Sequence, residues 1–355
     1  MIRATAPGKL FVAGEYAVVE PAQPAVLVAV DRYITVAVDP SPTTGAGRLV
    51  STVTSPGRAA ATWHRAGPGI ETAGGTAAFR YLLAAVAIVE ELAAERGVPF
   101  SGCRMRVTST LEGAGRKLGL GSSAAVTVAA VRALGEFYGL GLARMAVLKA
   151  ALAATFRVAP EASGGDVASS VFGGWIVYAS PRREALGGMG VAAAELVTRE
   201  WPGLCVRHLP APAGLRLLVG WTGNPAVTGR LVADVRGRAG GTPRDFVAQS
   251  RRAVLGLVGA LQDGDADRVL LEVRRCRALL AGLAGQTGVA IETPLLAALC
   301  DAAEGEGAAA KPSGAGGGDC GIALAPPGAD AEAILQEWIR RGIRPLDLRP
   351  APNID

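Results

Sequence analysis

Apolar positions along the chain follow two periods. Residues 2–6 and 10–20 read as strands. The long apolar run from Ala25 to Val38, with Asp31 and Arg32 inside it, has the alternation and β-branched content of a strand. Pro/Gly/Ser/Thr segments from Pro40 to Gly47 and from Gly67 to Gly75 bracket two further short strands. From Thr76 to Arg96 the period becomes helical, and Gly97-Val98-Pro99 ends it. CRMRVTST, Cys103 to Thr110, alternates cleanly and predicts a strand with one wet face, running into the loop LEGAGRKLGLG. Ser122 then opens an Ala/Val-rich helix to about Tyr138, and a second helix covers Ala143 to about Arg157.

Beyond this point helices dominate. Gly174–Ala179 reads as a strand, Arg182–Pro212 as irregular, Leu215–Trp221 as another strand, and TGNPAVTG as a turn. Helical patterns cover 226–236, 243–262, 265–284 and 292–303. Ala308–Ser313 and Cys320–Ala325 are strands around a glycine loop, followed by a helix over Ala329–Arg341 and a last strand near Arg344–Leu348. Strands and helices do not alternate as a doubly wound sheet requires, so the class is α+β. A chain of 355 residues has room for about two domains or two lobes, with the boundary expected near 185–213.

Half the residues are apolar and 19% are charged, a globular composition. The longest apolar stretches, such as Tyr81 to Val89, end at charges well short of the ~20 residues of a membrane span. Lys9 and Glu15 interrupt the N-terminal segment where a secretory signal needs an apolar run, so a cytoplasmic protein without membrane association is expected. Five cysteines form no CxxC pair and fit reduced thiols, and no structural metal is expected. His64 and His208, the two histidines, lie apart from any Ser or acid cluster, which argues against a Ser-His-Asp hydrolase or a His-ligated zinc site. The net charge of +5 comes from scattered arginines with few aromatics, so no nucleic-acid partner is expected. Among the basic residues only positions 9, 117, 149 and 311 are lysine, and three of the four adjoin glycine-rich segments. Helical Lys149 is expected on the surface.

Four segments carry candidate chemistry. GLGSSAA, Gly119 to Ala125, follows a strand and opens a helix. Its glycines can turn backbone N–H groups into an anion nest at the helix N-terminus, with Ser122, Ser123 and Lys117 in reach, although a tight turn with Ser122 as N-cap gives the same pattern. KPSGAGGGDCG, Lys311 to Gly321, places three consecutive glycines between apolar strands, which a close backbone approach explains better than a linker. In PGKLFVAGEY, Pro7 to Tyr16, Lys9 precedes an apolar strand and either meets a specific anion or sits at a strand edge. In EASGGDVASSVFGGW, Asp166 follows two glycines and is an acid for chemistry or an N-cap.

In order and character these segments resemble the three signature motifs and catalytic aspartate of the GHMP kinase superfamily, over nearly the whole chain. Within it GKLFVAGEYAVVEPAQPAVLVAVDRYITV, GRKLGLGSSAAV, SGGDVASSVFGGW, GWTGNPAVTG and the Asp-Cys ending of SGAGGGDCG are most similar to the phosphomevalonate kinases. Mevalonate kinases usually carry His where this chain has Tyr16. The resemblance implies a two-lobed α+β fold with the active site in the cleft, a nucleotide-binding N-terminal lobe over 1–200 and a C-terminal lobe over 201–355. It implies ATP bound by Gly119, Leu120, Gly121, Ser122 and Ser123 with Lys117 beside them, and Ser123 as the Mg²⁺ ligand. Asp166 would be the catalytic acid and Lys9 its paired lysine. Ser313, Gly314, Ala315, Gly316 and Gly317 would line the phosphate and acceptor side. Glu15, Tyr16, Arg116, Ser163 and Thr222 are further candidates for holding the acceptor, which is expected to be 5-phosphomevalonate. A monomer or homodimer is expected, and the other readings are a mevalonate kinase or a nucleotide sensor on the same fold. One departure stands out: where mevalonate kinases hold Mg²⁺ with a glutamate upstream of the aspartate, this chain has Thr155, and Glu161 is the nearest acid.

Overall fold

Strands β1 (Ile2–Ala13) and β2 (Pro24–Pro40) pair antiparallel over almost their full length in the computed structural model. The structure describes residues 1–41, 46–51, 59–66, 69–74, 79–113, 116–186, 191–224 and 228–354. β1 is one strand with register shifts at Pro7/Gly8 and Phe11/Ala13, not two pieces. It ends before the expected residue 20 because Gly14 turns the chain at φ +92°, where a Cβ would lie 2.5 Å from the Pro24 carbonyl oxygen. Residues 17–19 form a 3₁₀ turn instead.

The remaining elements of the first half are β3 (Gly47–Ser51), β4 (Ala59–Ala66), β5 (Gly69–Gly74), α1 (Arg80–Glu95), β6 (Cys103–Ser109), β7 (Glu112–Gly113), β8 (Arg116–Lys117), α2 (Ser122–Phe137), α3 (Arg144–Val158), α4 (Gly165–Phe172) and β9 (Trp175–Ala179). Within the stretch read as irregular lie α5 (Ala193–Thr198) and β10 (Cys205–Leu209). The large sheet runs β10-β9-β2-β6-β3-β4-β5, with β1 also on β2. The alanines of α2, buried at 124, 125, 129, 130 and 133, let this helix lie close on β1 and β2.

The second half contributes β11 (Arg216–Trp221), α6 (Thr228–Ala239), α7 (Arg244–Asp263), α8 (Ala266–Thr287), α9 (Pro294–Gly305), β12 (Ala309–Pro312), β13 (Cys320–Ala325), α10 (Ala331–Arg340) and β14 (Arg344–Leu346). A second sheet, β12-β13-β11-β14, packs against α9 and α10 around Trp338 and Leu299. Two features cross the expected division at 200. β10 pairs with β9 in the first sheet, and the C-terminal tail returns to it, bridging Val30 with Pro350 and Gly173 with Asn353.

Lys149 is a correction. It is 8% exposed, and its Nζ donates to the Arg199 carbonyl at 2.6 Å and to Val197 at 3.5 Å. The last carbonyls of α5 need donors, and a lysine from α3 supplies them; burial lowers its pKa, with Glu200 opposing. All five cysteines are free thiols. Among the described residues no helix is long and apolar enough to cross a membrane.

Candidate active site

The loop between β8 and α2 builds a cradle of backbone donors. Gly119 and Gly121 hold φ of +75° and +78°, and Gly121, with no side chain capping it, is the N-cap of α2. Ser122 is therefore the first helical residue and not the cap. The first-turn N–H groups of α2 have no intrahelical acceptors, and together with the helix dipole they favour an anion there. Ser122 and Ser123 sit half-buried at this end. Lys117 is exposed on the β7–β8 hairpin opposite Glu112; burial raises the Glu112 pKa and Lys117 opposes the shift. The Arg116 side chain lies outside the described residues.

β1 delivers Lys9 to the cradle. The Lys9 N–H donates to the Leu120 carbonyl at 2.9 Å. This approach requires Gly8, since a Cβ there would lie 2.5 Å from Leu111 Cδ2 and 2.8 Å from the Leu120 oxygen. The Lys9 stem crosses Gly121, and its ammonium donates to the Gly119 carbonyl at 3.2 Å, 5.5 Å from the Phe11 ring centroid. At 9% exposure this is a nearly buried cation beside the N-terminus of α2. Cys320 Sγ donates to the Leu118 carbonyl at 3.1 Å. Burial raises its thiol pKa, Asp319 adds to the shift and Lys9 opposes it, so both charges lie near this junction.

Asp166 occupies the first turn of α4, whose N-cap is Gly164 at φ +83°. It is not the cap. Its Oδ1 accepts from the adjacent Val167 N–H, at 3.0 Å, and the residue is half-buried. The preceding loop is fixed by Ser163, whose Oγ accepts from Gly165 N–H at 3.3 Å and whose carbonyl accepts from Tyr178 OH at 2.7 Å. Burial raises the pKa values of Tyr81 and Tyr178, and the nearby Asp166 charge adds to both shifts. Ser170 Oγ donates to the Pro7 carbonyl at 2.8 Å, tying α4 to β1. The expected Lys9–Asp166 pair is not made: among the described residues no cation lies within ion-pair distance of Asp166, and the ammonium takes the Gly119 carbonyl. Thr155 is 4% exposed, and its Oγ1 has no hydrogen bond among the described residues. Glu161 is exposed and paired with Arg236. Among the described residues no group of three or more His, Cys, Asp or Glu side chains is placed to hold a metal ion.

The third motif folds against the first. Ser313 Oγ accepts from Phe11 N–H and donates to the Phe11 carbonyl, both at 2.9 Å. Tyr16 OH donates to the Ala315 carbonyl at 2.6 Å. Glu15, 4% exposed, pairs with the fully buried Lys311 and accepts from Gly314 N–H at 3.4 Å. Glu15, Tyr16 and Ser313 thus spend their polar groups inside the protein. The same is true of Thr222, whose hydroxyl donates to the Asp319 carbonyl at 3.1 Å. In the glycine loop Gly317 N–H donates to the Ile291 carbonyl at 2.8 Å, whereas the N–H groups of Ala315, Gly316 and Gly318 find no acceptor among the described residues. Asp319, at φ +52°, presses its carboxylate onto Gly119, where a Cβ would lie 2.5 Å from Asp319 Cγ. The second and third motifs are joined at this contact. Lys311 and Asp319 were not among the expected site residues. Their signals were a scarce residue type beside a glycine loop and a non-glycine inside one.

Residues 80–174 match the model of the GHMP kinases N terminal domain, and residues 257–344 that of the GHMP kinases C terminal domain. The phosphomevalonate kinase of Streptomyces sp. (strain CL190) is 45% identical, covering 98% of this chain and 96% of its own. Among solved structures, the Lin0012 protein from Listeria innocua superposes with a TM-score of 0.90 at 30% identity, over 100% of this chain and 99% of its own. Streptococcus pneumoniae phosphomevalonate kinase in complex with phosphomevalonate and AMPPNP superposes at 0.84 with 28% identity, over 100% of both chains.

Proposed function

The chain belongs to the GHMP kinase family, and we infer that it is a kinase moving the γ-phosphoryl group of ATP to the phosphate of 5-phosphomevalonate. The products are 5-diphosphomevalonate and ADP, a step of the mevalonate pathway to isoprenoids. The choice of acceptor rests on the full-length likeness to the Streptomyces enzyme. The observation that carries the chemistry is a single contact, the Lys9 ammonium held on the Gly119 carbonyl at the uncapped end of α2.

A phosphate monoester has its second pKa near ~6, so at neutral pH the attacking oxygen is largely ionised already. It forms a bond to the γ-phosphorus while the bond from that phosphorus to the β–γ bridging oxygen breaks, and ADP departs with the electron pair. General-base help adds little to such a nucleophile. The obstacle is repulsion between two polyanions in a site of reduced dielectric, and positive charge and positioning overcome it. Lys9 supplies the charge. The N–H groups at Gly119–Ser123 hold the nucleotide phosphates, and those of Ala315, Gly316 and Gly318 face the transferred group. Asp166, at the N-terminus of α4, orients the acceptor.

The site suits a divalent cation of the Mg²⁺ type. Its donors are oxygens only, the Ser122 and Ser123 hydroxyls and the half-buried Asp166 carboxylate, and Mg²⁺ keeps several waters and leans on substrate phosphates instead of an all-protein cage. We assign Ser123 Oγ as the protein ligand; the ion, when bound, neutralises charge on the β- and γ-phosphates. We further place the enzyme in the cytoplasm, as a monomer or homodimer. ADP release with Mg-ATP and either mevalonate or 5-phosphomevalonate tests the reading. Turnover with the phosphorylated acceptor alone is expected, and turnover with mevalonate alone would replace it with an alcohol kinase.

A further inference from the structure

The buried pair Glu15–Lys311, which joins the turn after β1 to β12, has no part in the chemistry above, yet both ions are withdrawn from water. Lys311 is 0% and Glu15 4% exposed. Taking two ions out of water costs several kcal/mol each, and apolar replacements of such pairs are often neutral or stabilising. Stability alone therefore does not account for it. Its surroundings give it a different task.

Lys311 is in β12, immediately before the glycine loop, and its Nζ donates to Glu15 Oε1 and to the Pro312 carbonyl, at 2.6 Å for the latter. Glu15 Oε1 also accepts from Gly314 N–H. The next residue, Tyr16, stands at φ +60°, a backbone conformation that strains a non-glycine residue. That turn brings the Tyr16 hydroxyl onto the Ala315 carbonyl and seats its ring among Ile291, Leu280 and Val235. With the two hydrogen bonds between Ser313 Oγ and the Phe11 backbone, three consecutive loop residues, 313, 314 and 315, are fastened to β1 and its turn. The N–H groups of Ala315, Gly316 and Gly318, which find no acceptor among the described residues, lie at and just beyond the fastened segment.

We propose that Glu15 and Lys311 are positioning residues: their buried ion pair sets where the glycine loop presents its free N–H groups relative to Lys9 on the same β1. This rests on the phosphoryl-transfer reading and assigns to Lys311 a role in it that no substrate contact supplies. The pair itself touches neither nucleotide nor acceptor. It holds the Gly314 amide, and through it the loop, in register with β1.

Two charge-free replacements separate positioning from mere stability. Glu15→Leu with Lys311→Met removes both charges and the acceptor for Gly314 N–H. Glu15→Gln with Lys311→Met removes the charges and keeps a carbonyl for that amide. Both avoid a lone buried ion, and both are compared with wild type by thermal unfolding, by kcat and KM for ATP and 5-phosphomevalonate, and by amide hydrogen exchange over 313–318. For the Leu/Met pair we expect a retained fold, faster exchange in the loop, and kcat lower by about 10- to 100-fold, the loss that a displacement of about 1 Å produces. The Gln/Met pair should recover most of both. Wild-type kcat in the Leu/Met pair overturns the proposal, as does lost kcat with unchanged exchange, or equal losses in the two pairs. A wild-type enzyme silent with 5-phosphomevalonate would refute the acceptor assignment instead. The exchange comparison would then decide the latch alone, unchanged exchange in the Leu/Met pair overturning it.

Discussion

Replacing Lys9 by Met removes the ammonium and leaves most of the stem that packs over Gly121, where a Cβ would already lie 3.1 Å from Lys9 Cγ and Cε. The loss is therefore one charge and the hydrogen bond to Gly119, with little change in packing. A unit charge pair at about 4 Å in an effective dielectric near 20 interacts by about 4 kcal/mol. Losing one preorganised donor to developing charge typically costs about 10²–10³ in turnover, or about 3–4 kcal/mol, which fits within that interaction. Asp166→Asn should cost less, about tenfold, because the general-base share, commonly about 10²–10⁴, is largely unneeded by an acceptor that is already ionised. The assay is steady-state ADP release with saturating Mg-ATP and 5-phosphomevalonate, alongside thermal unfolding to confirm that both variants fold. A kcat loss at Asp166→Asn well beyond that at Lys9→Met would refute the charge-repulsion argument and make Asp166 a true base.

Gly119→Ala puts a side chain on a residue at φ +75° and drives its Cβ to 2.5 Å from Asp319 Cγ; AMPPNP affinity measured calorimetrically should fall by about tenfold or more, since the left-handed backbone alone costs about 1–2 kcal/mol. Adding Asp319→Gly should restore part of it, and no recovery would show that the steric contact is not the cause. The acid limb of kcat/KM for the acceptor should break near pH ~6, activity being present above this pH and lost as the acceptor phosphate protonates below it. The break should be the same in Asp166→Asn; its disappearance there would assign it to the aspartate. Thiol reagent at pH 8 should titrate one cysteine quickly, Cys205, which is exposed. The other four are buried, and burial pushes Cys103 and Cys276 up to about 12. Two fast thiols in the native enzyme would contradict this packing.

The elements legible in the sequence were those whose period is set by one continuous buried face. α1, α2, α3 and the helices from α6 to α10 lie within a few residues of the expected spans because caps and glycines mark their ends locally, as with Asp265 at the start of α8 and Gly264 just before it. β10 was illegible because its burial alternates weakly and its partner, β9, is the only thing that makes it a strand. The same limit applied to side chains. That Lys9, Asp166 and the GLGSSAA loop are candidates followed from residue type and glycine spacing. That Glu15 turns inward to Lys311, or that Lys149 caps α5, depends on contacts across 296 and 50 positions of sequence, which no local pattern encodes. Both lysines were visible as scarce residues. Their partners were not.

The two helices whose N-termini carry candidate site residues, α2 and α4, share a left-handed glycine N-cap. α8, α9 and α10 start with Asp265, Thr293 and Asp330, whose side chains accept from their own first-turn N–H groups. α2 and α4 start with left-handed Gly121 and Gly164, which have no side chain to do so. Forgoing a cap costs about 1 kcal/mol of helix stability; at α2 it leaves first-turn donors without a capping side chain, whereas at α4 Ser163 Oγ and Asp166 Oδ1 accept from the Gly165 and Val167 N–H groups. α2 adds the Ser122 and Ser123 hydroxyls to its free amides, and α4 carries a carboxylate, Asp166, which its own dipole stabilises. One helix end thus presents donors that favour an anion, while the other holds a negative charge. Lys9, a nearly buried cation, crosses Gly121 at the α2 end and is bound to a carbonyl instead of the carboxylate. An ammonium neutralised by Asp166 would have little field left for a polyanionic acceptor. Held by a neutral carbonyl, it keeps its full charge for the incoming phosphate, which is what transfer between two phosphates demands.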